Sequence, residues 1–427
     1  MARIGITGLW HQGVVLAACL AELGHEVVGL TDAVTGAALN NAQPPVHEPG
    51  LAELLRRNID AGRLRFVDEP AVALAEVEFV YISLDTPVAD DDGPILEPVY
   101  DLARTIGGAV AGDVIVCVTA QVPVGTTEKL LETIRAIAVG RQCEAAYVPE
   151  FLRLGDAIST FRNADRFAIG ADEPTVAQRV AALYVPLGRP VIVTDIRSAE
   201  LAKHAANAFL ALSISFANEV SDIAVAIGAD FDQAAEILRL DRRIGRFAFL
   251  TPGLGYAGGT LGRELRVLQG FGNEHGVPTR VIDAVVAVND ARAEVPRRRL
   301  RAALGSLDGR RVALLGLTYK PGTSTLRRAL SLKIARDLIA HGVTVTGFDP
   351  LADFGGVSDA PPIEIAADPY AAVSGADAAI LITEWEGVDN LDLDRLAHEM
   401  RGRFLFDTRG VLDRRRVNAS GLEYVRL

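Results

Sequence analysis

The chain has 427 residues, 49% of them apolar and 23% charged, with a net charge of -12 at pH 7. That length fills two or three domains, and the apolar share supplies packed cores, which excludes a disordered or collagen-like chain. The acidic balance, broken only by the short runs Arg297-Arg298-Arg299 and Arg414-Arg415-Arg416, argues against a nucleic-acid partner.

The first elements alternate between strand and helix. A strand is predicted at 3–7, a helix at 14–23 that stops at Gly24, and a strand at 26–30. This β-turn-α-β order implies a parallel sheet with right-handed crossovers. Further strands are predicted at 79–84, 114–118, 144–147, 167–169 and 190–193, with helices at 50–58, 97–109 and 126–137. From about Arg197 the character changes. Residues 198–227 carry apolar side chains at helical spacing with no Gly or Pro, which predicts one long helix, and helices follow at 231–239, 262–275 and 278–295. A second α/β block starts near Arg310, with strands at 311–316, 343–348, 378–382 and 404–407 and a helix at 331–341. The expected fold is α/β: two Rossmann-like parallel-sheet domains joined by a long helix and a helical connector. The expected boundaries are 1–196, 197–300 and 301–427.

The opening reads as a strand rather than a signal peptide, because Gly8 breaks a short apolar run, and no run of 18 apolar residues reads as a membrane span. Cys19, Cys117 and Cys143 form no metal-type pair. They read as free thiols of a reducing compartment, so a cytoplasmic protein is expected.

The turn after the first strand is Gly8-Leu9-Trp10-His11-Gln12-Gly13. A glycine-rich turn between a strand and a helix is where a dinucleotide's pyrophosphate sits, on the helix N-terminus. Gly8 suits the tight turn and Gly13 close helix–strand packing. Trp10 stands where the backbone would approach the phosphates, so its side chain must swing away. Asp32, at the end of the second strand, is the candidate for the ribose hydroxyls. Alone the pattern is a weak signal, since a glycine-tightened turn without a ligand also fits it.

Longer strings are more specific. They include Pro45-Val46-His47-Glu48-Pro49-Gly50-Leu51, Asp85-Thr86-Pro87 with Asp92-Gly93, Val122-Pro123-Val124-Gly125-Thr126-Thr127 and Pro149-Glu150-Phe151-Leu152-Arg153. Lys203-His204-Ala205-Ala206-Asn207-Ala208-Phe209, Ser215-Phe216-Ala217-Asn218-Glu219 and Arg243-Ile244-Gly245 follow. The last are Pro252-Gly253-Leu254-Gly255-Tyr256-Ala257-Gly258-Gly259, Gly316-Leu317-Thr318-Tyr319-Lys320-Pro321-Gly322-Thr323, Phe348-Asp349-Pro350 and Thr383-Glu384-Trp385. In order and spacing, over essentially the whole chain, they resemble the UDP-glucose/GDP-mannose dehydrogenase family.

That resemblance implies NAD as cofactor and a nucleotide sugar as substrate, its primary alcohol oxidised to a carboxylate by two NAD. In the family a lysine stabilises oxyanion charge, and a cysteine captures the intermediate aldehyde as a thiohemiacetal and then a thioester. The resemblance carries the lysine and asparagine onto Lys203 and Asn207, one helical turn apart, and the water-positioning glutamate onto Glu150. It assigns Thr86, Gln121 and Arg327, with Gly8, Trp10, His11, Gly13 and Asp32, to the cofactor. It assigns Phe151, Leu152, Arg153, Arg243, Phe249, Gly253, Gly255, Tyr256 and Lys320 to the nucleotide sugar, and implies a homodimer through the long helix.

The departures gather at the reacting centre. Thr260 stands where the family has its cysteine, and Arg263 and Glu264 where a lysine and an aspartate follow it. Gln121 replaces the water-positioning threonine, Val148 the asparagine before Pro149, and Ser324 and Thr325 a pair of aspartates. A Thr hydroxyl ionises far above physiological pH, so Thr260 offers no thiolate-like nucleophile. Three outcomes are open on the sequence: a single oxidation, or a transient one leading to another outcome such as epimerisation; a non-oxidising binding or regulatory homologue; and a full oxidation through water without a covalent intermediate.

Overall fold

The computed structural model describes residues 1–87, 89, 93–257, 260–326, 328–355, 357 and 359–427. The chain divides into two units, Met1–Ala206 and Asn207–Leu427, with the boundary inside the long helix Ile196–Ile227.

The first unit is built on eight strands: β1 (Arg3–Thr7), β2 (Glu26–Leu30), β3 (Leu64–Val67), β4 (Phe79–Ile82), β5 (Val114–Val118), β6 (Cys143–Tyr147), β7 (Phe167–Gly170) and β8 (Val191–Thr194). Their order is β3-β2-β1-β4-β5-β6-β7-β8. Continuous apolar runs make the central strands. β4 (FVYI) and β5 (VIVCV) are buried throughout, as strands covered on both faces must be. Helix His11–Glu22 packs one face with Val14, Leu16, Ala17 and Leu20 in the core. β1 pairs with both β2 and β4, so the strand order reverses there. The loops leaving the carboxyl ends of β1, β4, β5 and β6 flank that reversal, the place where open α/β sheets bind ligands. Two strands depart from the parallel expectation. β7 meets β6 antiparallel at Tyr147 and Gly170, and β8 runs parallel to β7. The link between β6 and β7 holds only the six-residue helix Ala157–Arg162, a simple return rather than a crossover.

The second unit carries helices Phe231–Leu240, Thr260–Glu274, Arg280–Ala291 and Val295–Leu304, then six strands: β9 (Arg311–Leu315), β10 (Thr344–Phe348), β11 (Glu364–Ile365), β12 (Ala378–Leu381), β13 (Phe404–Asp407) and β14 (Glu423–Arg426). Their order, β11-β10-β9-β12-β13-β14, reverses about β9, and every pairing is parallel. The helix expected at 278–295 instead breaks after Ala291, passes through a single tight turn at Arg292–Glu294 and restarts at Val295. Pro296 explains the restart. It sits in the first turn of the new helix, where its missing N–H costs nothing.

Helix Ile196–Ile227 is long and apolar enough, by length and composition, to cross a membrane. Several of its polar groups are nevertheless bound to protein: Glu200 and His204 to loops of the first unit, Ser215, Asn218 and Asp222 to partners in the second.

Candidate active site

Gly8 follows β1 with φ +77°, and a Cβ there would stand 2.5 Å from the Leu84 amide nitrogen. Only glycine lets this turn clear the loop after β4. A Cβ on Gly13 would lie 2.4 Å from the Gly8 carbonyl oxygen, so the helix can approach the turn only without one. Trp10 is the N-cap of helix His11–Glu22, and no side chain caps that terminus. The amides of its first turn are therefore left for an anion, with the helix dipole behind them. Trp10 is 50% exposed. The His11 ring turns inward to Glu48, leaving the His11 backbone amide as its group for a ligand.

Asp32 ends the loop after β2 and caps helix Ala33–Asn40, Oδ1 accepting from the amides of Val34 (3.0 Å) and Thr35 (2.9 Å). Hydrogen bonds from Thr35 and Val34 hold the exposed carboxyl below its ordinary range. Thr86 is buried in the loop after β4 and Gln121 half-buried in the loop after β5. Arg327 lies outside the described residues. The glycine cradle, the uncapped helix terminus and the exposed carboxylate fit a dinucleotide.

The loop after β6 carries Glu150. The Leu152 amide donates to its Oε1, while Oε2 is enclosed without a hydrogen-bond partner among the described residues. Burial raises the carboxyl from 4.5 to about 7, against the opposing pull of Lys203. The Lys203 ammonium donates to the Glu150 carbonyl oxygen and stands 4.7 Å from the centre of the Phe151 ring. Arg166 lies 4.6 Å from the same ring. Leu152 is half-buried and Arg153 exposed.

Lys203 is placed by its neighbours on the long helix. Glu200, fully buried, accepts from the amides of Gly125 (2.6 Å) and Thr127 (3.0 Å) and from the Thr127 hydroxyl (2.7 Å). His204 Nε2 lies 2.9 Å from the Val122 carbonyl oxygen. One stretch of helix thus ties the loops after β5 and β6 together and sets the ammonium between them. Asn207 follows one turn on, buried, with its Nδ2 unpartnered among the described residues.

In the second unit, the loop from Gly253 to Tyr256 is held by backbone contacts. The Gly253 amide donates to Asn218 Oδ1 (2.7 Å), and Arg292 donates to the Gly253 carbonyl oxygen (2.8 and 3.1 Å). Asp222 pairs with Arg292 at 2.8 Å. Asn289 exchanges two bonds with Tyr256, accepting its amide (2.8 Å) and donating to its carbonyl oxygen (3.2 Å). Gly255 has φ +93°, and a Cβ there would stand 2.3 Å from Asn289 Oδ1. Spacing in the chain gave no sign of Asn289 and Arg292, because each supports the loop from more than thirty residues away.

Thr260 opens helix Thr260–Glu274 and is exposed, while Gly258 and Gly259 lie outside the described residues. Four residues on, Glu264 is fully buried and accepts from Arg263 at 3.2 Å. Phe249 is exposed, and Arg243 bends onto Asp241, its guanidinium 2.6 Å from that carboxylate. Lys320 lies 5.6 Å from the Tyr319 ring in the loop after β9. Asp349 braces that loop by accepting from the amides of Leu317 (2.7 Å) and Thr318 (2.9 Å).

All three cysteines are buried in the first unit, Cys19 in helix His11–Glu22, Cys117 in β5 and Cys143 in β6. Burial pushes the thiols of Cys19 and Cys117 up to about 12 and raises that of Cys143. None is an available thiolate.

The chain matches three family profiles in succession. These are the UDP-glucose/GDP-mannose dehydrogenase family NAD binding domain over residues 2–188, its central domain over 197–291 and its UDP binding domain over 313–414. It is 35% identical over 430 residues to a UDP-glucose 6-dehydrogenase of Rhizobium meliloti, covering 99% of this chain and 98% of that one. It is 36% identical over 437 residues to a UDP-glucose 6-dehydrogenase of Pseudomonas aeruginosa, covering 99% and 96%. Among solved structures, a UDP-glucose dehydrogenase from Pyrobaculum islandicum superimposes with a TM-score of 0.88 at 34% identity, covering 96% of this chain and 95% of that one.

Proposed function

The chain belongs to the UDP-glucose/GDP-mannose dehydrogenase family and is an NAD-dependent oxidoreductase of that type, and from this premise we propose that it oxidises the primary alcohol of a nucleotide sugar once and releases the aldehyde. The observation that carries the proposal is Thr260 at the nucleophile position in a chain whose three cysteines are all buried. Without a thiolate there is no thiohemiacetal, and the second hydride has no covalent precursor.

NAD, when bound, would supply the hydride acceptor. Gly8, Gly13, Trp10 and the His11 amide would hold its pyrophosphate, Asp32 its ribose, and Thr86 and Gln121 would line the remainder. The Lys203 ammonium, set by the Glu150 carbonyl and the Phe151 ring, stabilises negative charge on the reacting oxygen. Glu150, titrating near 7, accepts the alcohol's proton through its free Oε2. Asn207 orients the substrate oxygen beside Lys203. The family resemblance assigns Phe151, Leu152 and Arg153 of the first unit and Phe249, Gly253, Gly255, Tyr256 and Lys320 of the second to the nucleotide sugar, with Thr260 at the family's nucleophile position and Glu264 at that of its aspartate. UDP-glucose, named for the relatives, is the first substrate to test. In balance, alcohol and NAD+ give aldehyde, NADH and one proton.

The working form is a homodimer in the cytoplasm, without membrane or nucleic-acid partners. Phe209, Phe216 and Ile223 recur every seven residues along the long helix and are exposed, as is Ile227, an apolar row suited to a second copy with Arg243 reaching across. The chain works as three parts, 1–196 for NAD, 197–300 for assembly and the sugar loop, and 301–427 for the nucleotide.

The Thr260→Cys variant tests the proposal. Wild type is expected to release aldehyde only, and the variant to gain a uronic acid product. A uronic acid from wild type would sink the single-oxidation reading. No NADH from any nucleotide sugar, with no NAD binding by calorimetry, would favour the binding homologue.

A further inference from the structure

The string from Pro45 to Leu51 has no part in the chemistry above, yet its Glu48 is among the most enclosed carboxylates of the first unit. Its side chain is 1% exposed and bonded to two separate segments. Oε2 accepts from His11 Nε2 at 2.7 Å and from the Gly155 amide at 2.8 Å, and Oε1 accepts from the Ala157 amide at 2.8 Å. Burial pushes this carboxyl up, but the three donors outweigh it and hold the group below its ordinary range. The acceptor is therefore ionised across the working pH range.

The two segments are the two halves of the site. His11 is the first residue of the helix whose N-terminus receives the pyrophosphate. Gly155 and Ala157 close the segment that begins with Glu150 and Phe151. Gly50, with φ +78°, turns the chain so that Glu48 reaches both while Leu51 starts the next helix. A movement of the pyrophosphate turn pulls on His11, and through one carboxylate on the segment carrying the proton acceptor.

We propose that Glu48 is a positioning residue, and that its bond to His11 couples NAD binding at the turn to nucleotide-sugar binding at 150–153. The inference rests on the reading of the site above. The coupling is a binding free energy, so it is reciprocal and measurable without turnover. Removing Glu48 would strand two backbone amides, that of buried Ala157 among them, and risk the fold, so the test is made at His11. His11→Phe breaks only that arm, and His11→Gln restores a neutral N–H donor of similar reach.

Calorimetric titration of NADH into each protein, with and without saturating UDP-glucose, closes a thermodynamic cycle. UDP-glucose is expected to tighten NADH about tenfold in wild type and in H11Q, and less than twofold in H11F. Circular dichroism and Tm establish that H11F is folded. Equal coupling in H11F and wild type overturns the proposal, as does a wild type whose two ligands bind independently. A wild type that binds neither ligand overturns the functional reading itself, which separates the two failures.

Discussion

Replacing Glu150 with Gln isolates the cost of one buried charge. The carboxyl titrates at about 7 instead of 4.5, chiefly because burial disfavours the ionised form, with Lys203 opposing. The difference of about 2.5 pH units corresponds to about 3 kcal/mol of differential stability. Because the folded-state value is raised, this stability is fully present below pH 4.5 and is lost as pH rises through about 7. Glu150→Gln does not titrate, so relative to wild type it should gain about 3 kcal/mol between pH 4.5 and pH 8. Urea unfolding of both proteins at several pH values measures this, since every other group cancels in the difference. The same carboxyl should appear as an acid limb near pH 7 in the rate of NADH formation. In the variant that limb should vanish and the rate fall by about 10²-fold or more. A stability difference that is flat with pH, or a variant that keeps the wild-type limb, would refute the assignment of burial and proton transfer to this group.

Two further outcomes follow from local geometry. Trp10 and Trp385 are the two tryptophans, and Trp10 is half-exposed at the pyrophosphate turn, so NAD should quench the emission of wild type and Trp385→Phe but not of Trp10→Phe. Gly255→Ala places a Cβ 2.3 Å from Asn289 Oδ1 at φ +93°. It should destabilise the chain by about 1–3 kcal/mol in urea unfolding and raise the KM for the nucleotide sugar while leaving that for NAD within about twofold.

Much of the fold was legible because its signals are local. The predicted bounds of β1, β2, β5, β13 and helices Glu97–Ala109 and Thr126–Ile137 coincide with the observed ones, since each is an apolar run or periodic face between clear breakers. The edge strands β3, β11 and β14 escaped notice. They have four, two and four residues, mix charged with apolar side chains, and are strands only through pairing with neighbours distant in sequence. The site divides the same way. Lys203 and Asn207 share a helical face by spacing alone. The burial that perturbs Glu150, the brace from Glu200 to the turn at Gly125, and the Asn289 support for Gly255 depend on chain segments meeting in the fold. Trp10 is half-exposed at the turn, and the inward turn of His11 to Glu48 was not foreseen.

The most direct test of the account is the amount of NADH formed per UDP-sugar consumed, with the product identified by mass. The account predicts one NADH per sugar and a product two hydrogens lighter than the substrate. Two NADH per sugar and a uronic acid would contradict it.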